Sequence, residues 1–317
     1  MTAVEASAHG LGPMAARRRR ALGREVPADL LRQERATRVA RQLARTLLER
    51  VRPAVDGRLL LFKGPEVAVL YPGGARLYKD VDLLASDALA TQEALLAAGF
   101  VELEDEEEFE GIHHLAPLGW PGLPLKLEIH ERPKWPRGLP LPPLGELFDE
   151  SVPATIGVDG IDAPAPRHHV LLLARHAWGH EPLRTMRDLI DVAATAEGLD
   201  LDAVAKTADA WGIGRMWRTT YAAADWLVHG GTPPLAVRLW ARYLLTLREP
   251  TVAEGHVARW LSSFWLLPPG AAVVSSAGAL AGDLRPVHGE TWGSKLRRTG
   301  RSLKNALTPK SKYGWKA

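Results

Sequence analysis

The chain contains no cysteine. That excludes disulfides, thiolate metal sites and a cysteine nucleophile, and it leaves the redox compartment open. Net charge is also scarce: 40 Lys+Arg stand against 37 Asp+Glu, a formal +3 over 317 residues. A wholly basic nucleic-acid coat and an acidic disordered tail are both excluded by that balance. The opening residues, MTAVEASAHGLGPMAARRRR, lack the apolar core of an export signal. One uncharged stretch, 260–282, has the length to span a bilayer, but Pro268, Pro269, Gly270, Gly278 and four serines interrupt it. A soluble, cytoplasmic protein with no membrane partner is the expectation.

What is present is an average globular composition, 46% hydrophobic and 24% charged. Length suggests about two domains. The charge balance hides three blocks: Arg17 to Arg20, an acidic run from Glu102 to Glu110, and an acid-free basic stretch after Glu290. Residues 1–25 read as a basic, disordered leader. Residues 26–51 read as an amphipathic helix, with Ala36, Val39, Leu43, Leu47 and Val51 recurring at steps of three and four. The period then changes. Leu59–Phe62 suits a buried strand, Pro65–Tyr71 a short helix and Leu77–Ala85 a second strand. Ser86 or Asp87 caps a helix that Gly99 closes. Further strands are expected over 100–103, 112–117 and 123–130. From 167 onward the pattern is helical, with segments near 167–180, 182–197, 201–211, 214–229 and 234–247. The expected fold is α+β: a small mixed-sheet core over 26–150, a helical domain over 151–290 and a basic tail over 291–317.

Asp80-Val81-Asp82 is the sharpest feature. On a strand, residues i and i+2 share a face, so both carboxylates project together while Val81 and Leu83 face the other way. Paired carboxylates repel unless a cation sits between them, and Mg²⁺ is the common solution. Alone, such a tripeptide is more often a solvated strand end. The context adds weight. Lys63-Gly64 follows an apolar strand and precedes a short helix, where a glycine lets the backbone approach a phosphate and a lysine supplies a point charge. A third acid, Glu128, lies in LKLEIH, where Lys126, Glu128 and His130 share one face. Glu128 would complete a metal cage or take the proton from an attacking hydroxyl.

The run from Leu59 to Phe100 resembles the uncharacterised nucleotidyltransferase family within the DNA-polymerase-β-like superfamily. It carries the family's Lys-Gly turn (Lys63, Gly64), Tyr71-Pro72, Arg76, the Asp80/Asp82 strand and Gly99-Phe100. The acid-x-His strand has its counterpart in Glu128-Ile129-His130, and the His- and Arg/Asp-bearing helices in RHAWGHEPLRTMRDLIDVA. The resemblance spans about 58–230 and is looser after Phe100. It implies transfer of a nucleoside monophosphate from an NTP, ATP by default, to an unidentified acceptor. Two Mg²⁺ ions, or Mn²⁺ in their place, would sit on Asp80, Asp82 and Glu128. Nucleotide contacts are expected from Lys63, Gly64, Arg76, His130, Arg184, Arg187 and Asp188. The third acid is usually Asp in the family, and here it is Glu128. A catalytically inactive relative that binds nucleotide, nucleic acid or a protein partner is the competing reading.

Arg184, Arg187, Asp188 and Asp191 form one helical stripe. It reads either as two ion pairs, Arg184 with Asp188 and Arg187 with Asp191, or as a phosphate clamp facing the cleft. His169, His176 and His180 share a face and suit packing or a cleft lining better than zinc. The basic tail has three readings: a nucleic-acid arm, a membrane-surface segment, or a disordered solubilising end. The last is the default.

Overall fold

The computed structural model describes residues 1–103, 114–135, 139–178, 182–183, 185–286 and 289–309. Most of the acidic run, together with His113, His180, Arg184 and residues 310–317, lies outside these. No described helix is long and apolar enough to cross a membrane.

The chain opens on two helices, α1 (Ala3–Ala8) and α2 (Gly12–Ala21), where a disordered leader is expected. They are ordered by small-residue packing and by charge. Ala6 and Ala16 are buried against Leu30. Arg20 makes a two-pronged contact with Glu34 at 2.9 and 2.7 Å. His9, in the link between them, donates from Nε2 to the Arg248 carbonyl (2.9 Å) and accepts the Met186 amide at Nδ1 (3.4 Å). A poly-arginine segment of low hydropathy gives no apolar period, which is why sequence reasoning leaves it unstructured.

Helix α3 (Ala28–Val51) follows. Its buried stripe is Ala40, Ala44, Leu47, Leu48 and Val51, turned from the expected one, so Ala36 and Val39 face solvent. Strand β1 (Leu59–Leu61) leads into α4 (Pro65–Ala68), and β2 (Asp80–Ala85) into α5 (Ala88–Ala97), which Asp87 caps through the Ala90 amide. β2 begins three residues later than expected, where its ladder with β5 starts. Strands β3 (Val101–Glu102), β4 (Leu118–Gly119) and β5 (Lys126–His130) continue the sheet. After α6 (Leu144–Asp149), the hairpin of β6 (Val152–Pro153) and β7 (Asp162–Ala163) adds two more strands. The order is β3-β4-β5-β2-β1-β7-β6. β1 is antiparallel to β2 and parallel to β7, and β2 is parallel to β5. The sheet therefore runs past 150: a boundary there would separate the β6–β7 hairpin from β1, with which β7 pairs.

The rest is helical: α7 (Pro166–His176), α8 (Met186–Ala196), α9 (Leu201–Ala210) and α10 (Gly214–His229). α8 starts later than the apolar period suggests. Leu183 adopts a left-handed φ of 51°, and Thr185 then caps the helix by accepting the Asp188 amide. The helix expected over 234–247 is broken at Ala241 into α11 (Leu235–Trp240) and α12 (Arg242–Leu245). Next come α13 (Val252–Leu261), α14 (Ser263–Leu266), α15 (Pro269–Leu284) and α16 (Trp292–Lys304). α16 falls where a disordered tail is the default reading.

Two apolar layers sandwich the sheet. Leu59, Leu61, Val81, Leu83, Leu127 and Ile129 face α3 and α5. Leu60, Phe62 and Leu84 face α7, α8 and α10. Strand alternation thus turns Asp80 and Asp82 toward the helical half, beside Leu84 rather than Val81.

Candidate active site

The register of β2 and β5 builds the site. Asp80 pairs with Lys126, Asp82 with Glu128 and Leu84 with His130. Parallel pairing puts the two strands' polar faces on the same side, so carboxylates 46 positions apart in the chain become neighbours. Asp82 is fully buried, whereas Asp80 and Glu128 are partly exposed at the cleft. Asp82 Oδ1 receives Lys63 Nζ at 3.0 Å and His130 Nε2 at 3.1 Å. Its second oxygen, Oδ2, is buried without a hydrogen-bond partner.

The electrostatics follow from this geometry. Burial alone would raise the Asp82 carboxyl, but the Lys63 charge and the His130 bond outweigh it and hold it well below the usual carboxylate range. Glu128 goes the other way: burial and the charges of Asp82 and Asp80 push it well above that range. His130 is lowered by burial, which leaves it the neutral ring that donates to Asp82. The two neighbouring carboxyls are thus driven apart, Asp82 toward the ionised form and Glu128 toward the protonated one. Asp82, Glu128 and His130 each place one ligand atom within 4.8 Å of the others. A buried orphan oxygen beside a proton-holding carboxyl fits a hard divalent cation. Asp80 stands outside that trio, two residues earlier on the same face.

Gly64 is required by the packing of its own turn. Its φ is 58°, and a Cβ there would stand 2.8 Å from the Asp80 carbonyl oxygen. The glycine lets the Lys63-Gly64 turn lie against β2, which brings Lys63 over Asp82. α4 is a single turn, and two of its amides are already spent within it, on the Lys63 and Gly64 carbonyls. Glu66 anchors that turn by accepting the Thr155 amide (3.0 Å) and hydroxyl (2.8 Å).

Arg76 is buried and engaged. It grips Asp191 of α8 with Nε and Nη2, both at 2.7 Å, and Tyr71 adds its hydroxyl to the same carboxylate at 2.5 Å. The pairing expected between Arg187 and Asp191 does not form, because Asp191 turns inward to Arg76. Arg187 lies instead 3.5 Å from Asp188 and packs its methylenes on Gly10. Arg76 therefore joins the sheet half to the helical half rather than reaching into the cleft. Arg184 lies outside the described residues. His169 holds the end of β1 by donating to the Phe62 carbonyl at 2.7 Å, and burial lowers it to about 4. His176 is pushed well below the ordinary imidazole value by burial and by the charges of Lys63 and Arg187. Sequence reasoning missed the Asp191–Arg76–Tyr71 knot. All three residues stand out singly in the sequence, but no local spacing joins Asp191 to residues more than 100 positions earlier.

A second group, Glu146, Glu150 and His168, also brings its ligand atoms together. Its acids already have partners: Arg167 on Glu150 and Trp211 Nε1 on Glu146 at 3.4 Å.

No curated protein and no solved structure gives a significant match to this chain. One family model does match, over residues 4–229, which takes in α1, the whole sheet with its acids, and α7 to α10. Nucleotidyl transfer is the general activity that family's description carries. On that match, which covers well over half the chain, the protein belongs to the uncharacterised nucleotidyltransferase family.

Proposed function

We propose that the protein is a Mg²⁺-dependent enzyme that transfers a nucleoside monophosphate from an NTP to an acceptor, releasing pyrophosphate. The observation that carries this reading is the β2/β5 register, which sets Asp82 beside Glu128 with Asp80 on the same face. Asp80, Asp82 and Glu128 would hold the divalent cation. When bound, it would neutralise triphosphate charge and polarise the α-phosphate for in-line attack.

The protein's own groups have separate tasks. Lys63 neutralises Asp82 in the free protein and would supply its charge to a phosphate oxygen once the carboxylate gains another partner. His130 fixes the Asp82 carboxylate from behind by donating to Oδ1. Glu128 either completes the cation's shell or accepts the proton of the acceptor hydroxyl as the oxygen–phosphorus bond forms. Arg187 and Asp188 would contact the nucleotide from the helical side, and ATP is the default donor. Arg76 is moved in this reading from nucleotide contact to support of the cleft walls.

Incubation with each of the four NTPs labelled at the α-phosphate, with Mg²⁺ or Mn²⁺, should give transfer of label and release of pyrophosphate. Asp80→Asn with Asp82→Asn should abolish both. Undiminished transfer in that variant, with its fold intact by circular dichroism, would remove these residues from the site.

A further inference from the structure

The C-terminal pair α15 and α16 inverts the usual rule for a surface helix. α16 carries five cations, Lys295, Arg297, Arg298, Arg301 and Lys304, and no acid. It docks on the body through its polar flank. Lys295 is buried with its ammonium on the Asp283 carbonyl, Arg298 makes a two-pronged contact with Glu290, and Ser302 is half-buried. The chain just beyond is tied back by the Val252 amide on the Thr308 carbonyl at 3.1 Å and the Ala253 amide on the Ala306 carbonyl at 2.9 Å. The apolar side chains are left outside: Trp292 is 63% exposed, Leu296 68%, Leu303 72% and Leu307 85%.

Steps of four and seven residues put Trp292, Leu296 and Leu303 on one side of the helix, within about 40° of arc, and Leu307 follows three residues past its end. Arg297, Arg301 and Lys304 lie about 100–160° round from the centre of that side, on the flank away from Lys295. α15 joins α16 at the Lys295–Asp283 contact and exposes Leu280 and Leu284 near that junction. Its one acid, Asp283, is turned inward to Arg259 and Trp260. Neither helix falls within the family match, which ends at 229.

An exposed stripe of tryptophan and leucine costs solvation and gains nothing in the free chain. Three occupants would relieve it. A nucleic acid would use the cations but not the aliphatic side chains, since phosphate contact needs charge alone. A second copy of the chain, meeting in a symmetric pair, would bring like charges, Arg297, Arg301 and Lys304, near those of its partner. An anionic lipid surface uses both features: the stripe enters the acyl boundary and the arginines and lysines, reaching along their stems, meet the headgroups. We infer that α16, with the adjoining end of α15, lies in the plane of an anionic membrane surface and holds the enzyme there without spanning it.

The full-length protein should pellet with phosphatidylcholine vesicles containing about a third phosphatidylserine, and far less with pure phosphatidylcholine. Leu296→Glu with Leu303→Glu should weaken that binding about tenfold or more. Arg297→Gln with Arg301→Gln should weaken it by about fivefold per charge and flatten its salt dependence. Equal binding to both vesicle types overturns the inference, as does vesicle binding that the leucine pair leaves unchanged. Vesicles that stay free while a single-stranded oligonucleotide binds, or while the chain self-associates in sedimentation velocity, would overturn it too and assign the face to that occupant.

Discussion

At the centre of the sheet, charge is buried; at the C-terminal end, hydrocarbon is exposed. Asp82, Lys63 and His130 sit in the interior with their partners chosen for them, and Leu296, Leu303 and Leu307 sit in water with none. Each arrangement is unfavourable for the free chain, and each is held by ordinary structure around it. The sheet can carry three acids because two apolar layers fix the strands on which they stand. α16 can expose leucine because its docking rests on Lys295 and on backbone bonds from α13. Local misfit that is supported rather than relieved is where a folded chain departs from its own stability optimum, and such departures mark sites of use. The comparison can be broken from either side.

The largest effect is expected at the buried side. Asp80→Asn with Asp82→Asn should lower nucleotidyl transfer on the order of 10³-fold or more, measured as label transfer per unit time. The next is structural. Arg76→Ala leaves Asp191 buried without its cation, and should cost about 3–5 kcal/mol in denaturant unfolding. Because Arg76 clamps α8 to the sheet half, turnover should fall as well, while Arg76→Lys should recover part of the stability. If Arg76→Ala were neutral in stability but raised KM for the NTP, Arg76 would go back to the cleft as a nucleotide contact.

Much of this centre is legible in the sequence. Asp80-Val81-Asp82 with its apolar alternation, the Glu128/His130 face and the Lys63-Gly64 turn all appear where the period and spacing place them. What is not legible comes from contacts with no local signal. β6 and β7 are two residues each, and they join the sheet only because β1 offers an open edge. Asp191 has a correctly spaced arginine on its own helix, yet pairs with one 115 positions earlier, because the interior rewards the better-shielded partner. The first 25 residues fold through alanines and arginine–carboxylate contacts, which carry no hydrophobic period. Helix α16 is misread for the opposite reason: its basic charge is legible, but which flank faces the body is not.

Two smaller effects sharpen the contrast. Gly64→Ala meets both a left-handed φ and the Asp80 carbonyl, so it should cost about 1–3 kcal/mol and shift β2 enough to reduce transfer. Glu128 holds its proton above the ordinary carboxylate range. Since that proton must leave before the carboxylate can ligate, Mg²⁺ affinity should rise with pH, by up to about tenfold per unit, until Glu128 is ionised. Calorimetry across pH should show that rise in the native protein and lose it in Glu128→Gln. An affinity that falls as pH rises would mean that Glu128 is not a ligand.

The smallest effect belongs to the exposed side. Leu296→Glu with Leu303→Glu should change unfolding free energy by no more than about 0.5 kcal/mol, because neither side chain packs on the body. The same chemical change at Leu127, which is fully buried between β2 and β4, should unfold the protein. Leucine to glutamate thus measures the surroundings and not the residue. A loss of more than about 2 kcal/mol at positions 296 and 303 would mean that the stripe is covered in the native chain. The exposed hydrocarbon would then be part of the core, and the two ends of the molecule would obey the same rule.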